Sequence, residues 1–100
     1  MRNRESRSAE AKVPGGKLVR LTAGHDGDRY IVEISGDFFA YPEEGIALLE
    51  SALSQMSGRE PEEDVRRILA QVVAITGIEL VGVDVDTIAK LFKRCTACGE

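Results

Sequence analysis

The sequence has 100 residues, of which 43% are apolar and 30% charged, and this is enough for one small globular domain with a modest core. Its net charge of -4 provides no broad basic field, so nucleic acid is not expected as a partner. No apolar run approaches the roughly 20 residues of a membrane helix, and no signal-peptide core is present. We therefore expect a cytoplasmic protein that does not enter a membrane.

Three regions are predicted along the chain. Residues 1–12 are polar, lack apolar periodicity and are expected to form a flexible tail. Pro14 and the glycines after it mark the start of order, and the single domain is placed at residues 13–94. Residues 95–100 are expected to be a short C-terminal tail that contains both cysteines of the sequence.

The first half of the domain has the two-residue alternation of β-strands. Apolar side chains alternate over residues 17–23 and again over residues 29–35, which predicts two antiparallel strands. The loop between them holds the lone histidine, His25, together with glycines and aspartates that tolerate a hairpin turn. Because an isolated hairpin is marginally stable, a third strand is expected from the segment before Pro14 or from residues 38–41.

From Pro42 the apolar period becomes helical and predicts a first helix that ends near Gly58. Glu43 and Glu44 are expected in its first turn, where the helix dipole favours negative charge. The side chains predicted to face the core are Ile46, Leu49, Leu53 and Met56.

Two more helices are predicted in the second half of the chain. One begins at Pro61 and stops near Gly77, and another is capped by Asp84. Residues 78–83 between them are interpreted as a linker or a short extended segment. The inward residues of the Pro61 helix are predicted to be Val65, Ile68, Leu69 and Val72. Strands followed by helices imply an α+β fold, with a small antiparallel sheet of two or three strands and two or three packed helices.

Residues 36–42 concentrate three of the five aromatic side chains, Phe38, Phe39 and Tyr41, at a strand-to-helix corner. Such a corner is a natural recognition surface. One phenylalanine could enter the core while the other points outward, or both could pack in the core. Asp37 beside them can accept backbone N–H bonds as a turn residue.

The sequence lacks the usual motifs of a catalytic site. It has no His-x-x-x-His pair, no nucleophile elbow and no phosphate-binding loop followed by Lys and Ser or Thr. The nearest approach to an anion site is the loop of Gly15, Gly16 and Lys17 after Pro14. This loop is either a turn that leads into the first strand or a site where Lys17 and backbone N–H groups meet a partner's phosphate or carboxylate.

Cys95 and Cys98 form the one Cys-x-x-Cys pair of the sequence. A single pair supplies half of a tetrahedral zinc site, so a metal here would have to be shared with another chain. A redox pair is expected at a helix N-terminus, whereas this pair follows a predicted helix C-terminus. An inert tail, a shared metal site and a redox role all stay open, and the cysteines are weak metal candidates.

Three segments resemble a known protein family. They are Lys12-Val13-Pro14-Gly15-Gly16-Lys17-Leu18-Val19-Arg20, Ile34-Ser35-Gly36-Asp37-Phe38-Phe39 and Pro42-Glu43-Glu44. Together they resemble the C-terminal accessory domain of lipoate-protein ligases, most closely the archaeal type that is made as a separate small subunit. The resemblance covers residues 12–94, and its most specific parts are the Gly-Asp-Phe-Phe corner and the Pro-Gly-Gly-Lys entry.

The resemblance implies a fold and a role. The small domain of that family is similar in architecture to SufE and iron–sulfur scaffold proteins. It is needed for the formation of lipoyl-AMP, whereas ATP, Mg and lipoate are bound by the catalytic subunit. The implied partners are that catalytic subunit, in a heterodimer, and indirectly the lipoyl-domain acceptor proteins. The residues implied to face the partner or the adenylate are Gly15, Gly16, Lys17, Gly36, Asp37, Phe38 and Phe39.

Two hypotheses of other classes stand beside the ligase subunit. The first is a small iron–sulfur, sulfur-transfer or metal-binding protein that uses Cys95 and Cys98. The second is an interaction module with no link to lipoate. The C-terminal Cys-Thr-Ala-Cys is not part of the ligase pattern, so the resemblance assigns it no role.

Overall fold

The computed structural model describes residues 6–13, 18–26 and 29–96. In chain order its elements are β1 (Ser6–Lys12), β2 (Leu18–Asp26), β3 (Arg29–Gly36), β4 (Phe39–Tyr41), α1 (Gly45–Ser54), α2 (Glu62–Thr76), β5 (Glu79–Val81) and α3 (Val85–Thr96). Within these residues, β1, β2 and β3 form one antiparallel sheet, and β4 pairs antiparallel with β5 in a smaller one. The predicted α+β class, a small antiparallel sheet with packed helices, is confirmed.

Strand β1 corrects the predicted N-terminal tail. Ser6–Lys12 pairs with β2 along its whole length, so the prediction of flexibility at residues 1–12 is wrong for this segment. Its inward side chains, Ala9 and Ala11, are half-buried and pack on the core. Two alanines among polar residues give little apolar periodicity, and the strand depends on its pairing with β2. The segment before Pro14 thus supplies the third strand of this sheet.

The β2–β3 hairpin supplies the buried face of the sheet, as predicted. Leu21 lies opposite Ile34 and Ala23 opposite Val32, so inward side chains of the two strands form one apolar surface. The inward residues, at most 8% exposed, are Val19, Leu21, Ala23, Val32 and Ile34. His25 was predicted in the loop, but it lies in β2 and pairs with Tyr30. Residues 27–28 of the loop lie outside the described residues.

The core lies between this sheet and the helices. Helix α1 packs on β3, α3 packs on β1 and β2, and α2 packs on both of these helices. The ring of Phe92 meets that of Tyr30 edge to face, with centroids 5.7 Å apart and planes at 77°. The largest side chains at the centre are fully or almost fully buried and include Leu21, Leu49, Leu53, Leu69, Ile88, Leu91 and Phe92.

Helix α1 begins later than the sequence predicts. Pro42 is followed by a turn in which the Gly45 N–H donates to the Pro42 carbonyl at 2.8 Å, and the helix starts at Gly45. Glu43 and Glu44 therefore precede the first helical turn. A Cβ atom at position 45 would stand 2.8 Å from the side chain of Ile78. The glycine lets the helix start lie against the segment that leads into β5.

The loop from α1 to α2 is held by one carboxylate. Glu60 accepts the Ser57 N–H at 3.0 Å, the Ser57 hydroxyl at 3.2 Å and the Gly58 N–H at 3.0 Å. Burial works to raise the pKa of Glu60, but these hydrogen bonds outweigh it and lower the pKa. Gly58 was the predicted end of the first helix, but α1 already ends at Ser54. Gly58 lies in the loop after it, with a φ of 89°.

Helix α2 follows its sequence signals. It runs from Glu62, directly after Pro61, to Thr76, and Gly77 ends it with a φ of 76°. The Gly77 N–H donates to the Val73 carbonyl at 2.9 Å. The predicted inward stripe is confirmed, since Val65 and Leu69 are fully buried and Ile68 and Val72 are half-buried.

The C-terminal elements refine two predictions. Within residues 78–83, the linker or short extended segment, Glu79–Val81 forms β5. The Asp84 carboxylate accepts the Thr87 N–H at 2.7 Å and caps α3, as predicted. Helix α3 continues to Thr96, so the predicted tail at residues 95–100 is wrong for Cys95 and Thr96. Residues 97–100 lie outside the described residues.

Candidate functional site

The chain leaves β3 through a turn that depends on Gly36. Gly36 has a φ of 146°, and a Cβ atom on it would overlap the carbonyl oxygen of Leu18 and stand 3.2 Å from the Phe38 ring. The N–H of Asp37 donates to the same Leu18 carbonyl at 3.2 Å. A side chain at position 36 would force this turn away from β2. The glycine therefore fixes where Phe38 and Phe39 enter the fold.

The two adjacent phenylalanines face opposite ways. Phe38 is half-buried and packs against the hydrophobic core. Phe39, the first residue of β4, is 64% exposed. Successive side chains of an extended chain point to opposite sides, which accounts for the difference. The alternative in which one ring enters the core and the other points outward is the one observed.

Strands β4 and β5 form a ribbon with one buried side and one exposed side, and the exposed side is mostly apolar. Ala40 is 6% exposed and Leu80 is half-buried, whereas Phe39, Tyr41 and Val81 are 64%, 58% and 44% exposed. Phe39 lies opposite Val81, and Tyr41 follows Phe39 by two residues, so these three side chains share one side. We call this exposed side, formed by Phe39, Tyr41 and Val81, the ribbon face. Sequence reasoning missed Val81, because a three-residue strand has no clear pattern until its partner is known.

An open depression of about 350 Å³ lies beside the ribbon face and is lined by Gly36, Asp37, Phe38 and Phe39. The structure thus brings together these four residues of the predicted partner-facing set. Of these four lining residues, Asp37 alone has an ionisable side chain. The four include no nucleophile with a neighbouring base. Such a lining suits contact with another molecule better than bond-breaking chemistry.

The other predicted site residues lie elsewhere. Gly15, Gly16 and Lys17 are outside the described residues, and the anion loop stays a prediction. Cys95 lies in the last turn of α3, is 6% exposed and donates its thiol to the Leu21 carbonyl at 3.5 Å. Cys98 is also outside the described residues, which contain no group of three or more His, Cys, Asp or Glu placed to hold a metal. The iron–sulfur hypothesis gains no support from this part of the chain.

A second groove, of about 410 Å³, runs between β3 and α1, and the sequence gives no signal for it. Glu50 reaches across one side of it, where its carboxylate accepts the Ile34 N–H at 2.8 Å. Burial raises the pKa of Glu50, the Ile34 N–H opposes this, and the nearby charge of Glu33 adds to the rise. The bond covers a donor on the outer edge of β3, which is a structural role typical of a protected edge strand.

Comparisons with known proteins identify similar chains. No profile of a known protein family matches the sequence. The chain is 38% identical over 63 residues to the lipoate-protein ligase A subunit 2 of Thermoplasma acidophilum. The matched segment covers 62% of this chain and 67% of the relative.

A solved structure is similar over almost the whole fold. It is described as a bipartite lipoate-protein ligase and its E2 lipoyl domain from Thermoplasma acidophilum. The match has a TM-score of 0.68 and 28% identity, and covers 90% of this chain and 97% of the other. In the described part of the chain, no helix has both the length and the apolar character needed to cross a bilayer.

Proposed function

The chain belongs to the family of lipoate-protein ligase A subunit 2, and from this we propose that it is the non-catalytic subunit of a two-part lipoate-protein ligase. In the proposal, it acts with a catalytic subunit in the ATP-dependent conversion of lipoate to lipoyl-AMP, from which acceptor proteins are lipoylated. The observation that carries the proposal is the likeness to a chain of the bipartite ligase over nearly the full length of both.

The proposal assigns the small molecules to the catalytic subunit. The sequence of this chain has no phosphate-binding loop with Lys and Ser or Thr and no nucleophile elbow. ATP, Mg and lipoate would accordingly be bound by the partner, in a heterodimer in the cytoplasm. The acceptor lipoyl domains would be served indirectly, through lipoyl-AMP held on that partner.

The physical need for a second subunit follows from the reaction. A carboxylate oxygen of lipoate attacks the α-phosphorus of ATP, a P–O bond forms, and pyrophosphate leaves with the electrons of the broken bond. The reacting groups must be held in line, the charge on the phosphoryl group must be stabilised, and water must be kept out. A small domain packed against the catalytic pocket would order its loops and limit the entry of water.

Within this chain, the proposal gives two segments a role. Gly36, Asp37 and Phe39 would contact the catalytic subunit, supported by Phe38, which anchors the corner in the core. The loop of Gly15, Gly16 and Lys17 would approach the adenylate, where a lysine ammonium would stabilise negative charge.

The test compares a separately prepared catalytic subunit with and without this chain. Lipoyl-AMP formation from lipoate and ATP should require the chain. If lipoyl-AMP is supplied ready-made, the catalytic subunit alone should transfer the lipoyl group, because the proposed need is confined to activation. Equal rates of activation with and without the chain would overturn the proposal.

A further inference from the structure

The ribbon face is a contiguous apolar surface rather than a set of scattered residues. Single exposed apolar side chains are common, whereas adjacent ones mark sites of interaction. Here Phe39 and Val81 are cross-strand partners, and Tyr41 is next along the same side of β4. Two aromatic rings that are more than half exposed make a large area for contact at a small cost in side-chain entropy.

The ribbon face is also fixed in place before any partner arrives. On the opposite side of the ribbon, Ala40 is buried and Leu80 packs against the core. Gly82, with a φ of 89°, brings the end of β5 close to the corner, where an added Cβ atom would stand 3.3 Å from the Asp37 carbonyl oxygen. A surface that needs no ordering on association loses less free energy when it binds.

The two sequence segments that form the ribbon carry acids but no basic residue. Residues 36–58 and 68–89, which contain both strands of the ribbon, include no Lys or Arg. The exposed acids of these segments nearest the ribbon in sequence are Asp37, Glu43, Glu44 and Glu79. Glu79 lies directly opposite Tyr41 and therefore shares the exposed side of the ribbon with it. None of these four acids forms an ion pair within the described part of the chain. The acids that form ion pairs there are Glu10, Asp64 and Asp86.

We infer that the ribbon face is the surface by which the chain docks on the catalytic subunit, against a partner face with an apolar centre surrounded by Lys and Arg. The inference rests on the proposed function and adds to it the orientation and the chemistry of the contact. Charge complementarity favours this partner over a second copy of the chain, because two copies would bring acidic rims together. The apolar centre supplies the affinity, and the rim steers the encounter.

The first test measures affinity for the catalytic subunit by calorimetry. The double variant Phe39→Ser with Tyr41→Ser should weaken binding by at least about 30-fold, as expected when central aromatic anchors are lost. Ile31→Ser is the matched control, because Ile31 is an aliphatic residue 48% exposed on β3, outside the ribbon. It should change affinity by less than about threefold. A double variant that binds as tightly as the wild type would overturn the inference.

The second test leaves the apolar residues unchanged and reverses charge at the rim. Glu43→Lys with Glu79→Lys should lower the association rate constant by about tenfold at low salt, and the difference should shrink as salt rises. Glu33→Lys, an exposed acid on β3, is the control and should leave the rate constant nearly unchanged. An equal effect of both charge reversals would contradict a local acidic rim.

The outcomes separate this inference from the proposed function. If the wild type neither binds the catalytic subunit nor supports lipoyl-AMP formation, the proposed function is lost. If the wild type does both and the Phe39→Ser, Tyr41→Ser variant does both equally well, the inference alone is lost. Self-association of the wild type that Phe39→Ser abolishes would assign the ribbon face to a second copy and would also overturn the inference.

Discussion

Separate replacement of Phe38 and Phe39 by alanine should have different effects on stability, although the two residues are adjacent. Full burial of a phenylalanine corresponds to a loss of about 3–5 kcal/mol on truncation to alanine. Phe38 is half-buried against the core, so Phe38→Ala should lower the free energy of unfolding by about half of that, or about 2 kcal/mol. Phe39 is 64% exposed, and Phe39→Ala should lower it by about 0.5 kcal/mol or less.

Thermal and urea unfolding of the isolated chain measure this difference. For a domain of this size, a loss of about 2 kcal/mol lowers the melting temperature by about 8–16 °C. The denaturant m-values should stay equal, since both variants unfold the same fold. Equal destabilisation by the two substitutions would refute the assignment of Phe38 to the core and Phe39 to the surface.

Four further predictions concern single residues. Gly36→Ala should lower the free energy of unfolding in urea by about 2 kcal/mol or more, because the added Cβ atom would overlap the backbone of Leu18. Gly77→Ala has open space around the added atom and should lower it by only about 1 kcal/mol. Glu60→Gln should destabilise by about 1 kcal/mol at pH 7, allowing for solvent screening. Because the folded pKa of Glu60 is lowered, its contribution exists above the unfolded pKa and should vanish as the pH falls through the folded pKa, as unfolding at several pH values would show. The folded pKa of Glu50 is raised, so ionisation of this carboxyl group opposes folding. Glu50→Gln should therefore be more stable than the wild type at a pH above the folded pKa of Glu50. This advantage should disappear at a pH below the unfolded pKa, as unfolding at several pH values would show. Lys17→Ala should slow lipoyl-AMP formation while leaving the affinity for the catalytic subunit unchanged, and unchanged activity would mean that Lys17 serves only as a turn residue.

The elements that could be predicted from sequence have strong local signals. Pro61 and Gly77 bracket α2, and Asp84 lies where its carboxylate caps α3. The alternation of the β2–β3 hairpin specifies which face is buried, because a shift by one residue would expose the whole apolar set.

The elements that the sequence left open between alternatives depend on distant partners. Strand β1 has Ala9 and Ala11 inward, which bury little area, and it becomes a strand through its pairing with β2. Strand β5 is three residues long and pairs with β4, across the whole of α1 and α2. Local periodicity carries no record of such pairings.

The candidate site could be predicted only in part, because some of its residues have a local sequence signal and others meet only through strand pairing. The excess of aromatic residues at the corner pointed to Phe38 and Phe39, and Gly36 marked the turn. The separation of one ring into the core and one onto the surface depends on where β4 begins. Val81 joins the ribbon face only through its register with Phe39, which no spacing in the sequence records.

In the proposed function, this chain enables a catalytic subunit to activate lipoate. The most direct measurement titrates the chain into a fixed amount of separately prepared catalytic subunit and follows lipoyl-AMP formation from lipoate and ATP. The rate should be negligible without the chain and should rise to a plateau at one chain per catalytic subunit. A rate that does not change over the whole titration would contradict the proposed function.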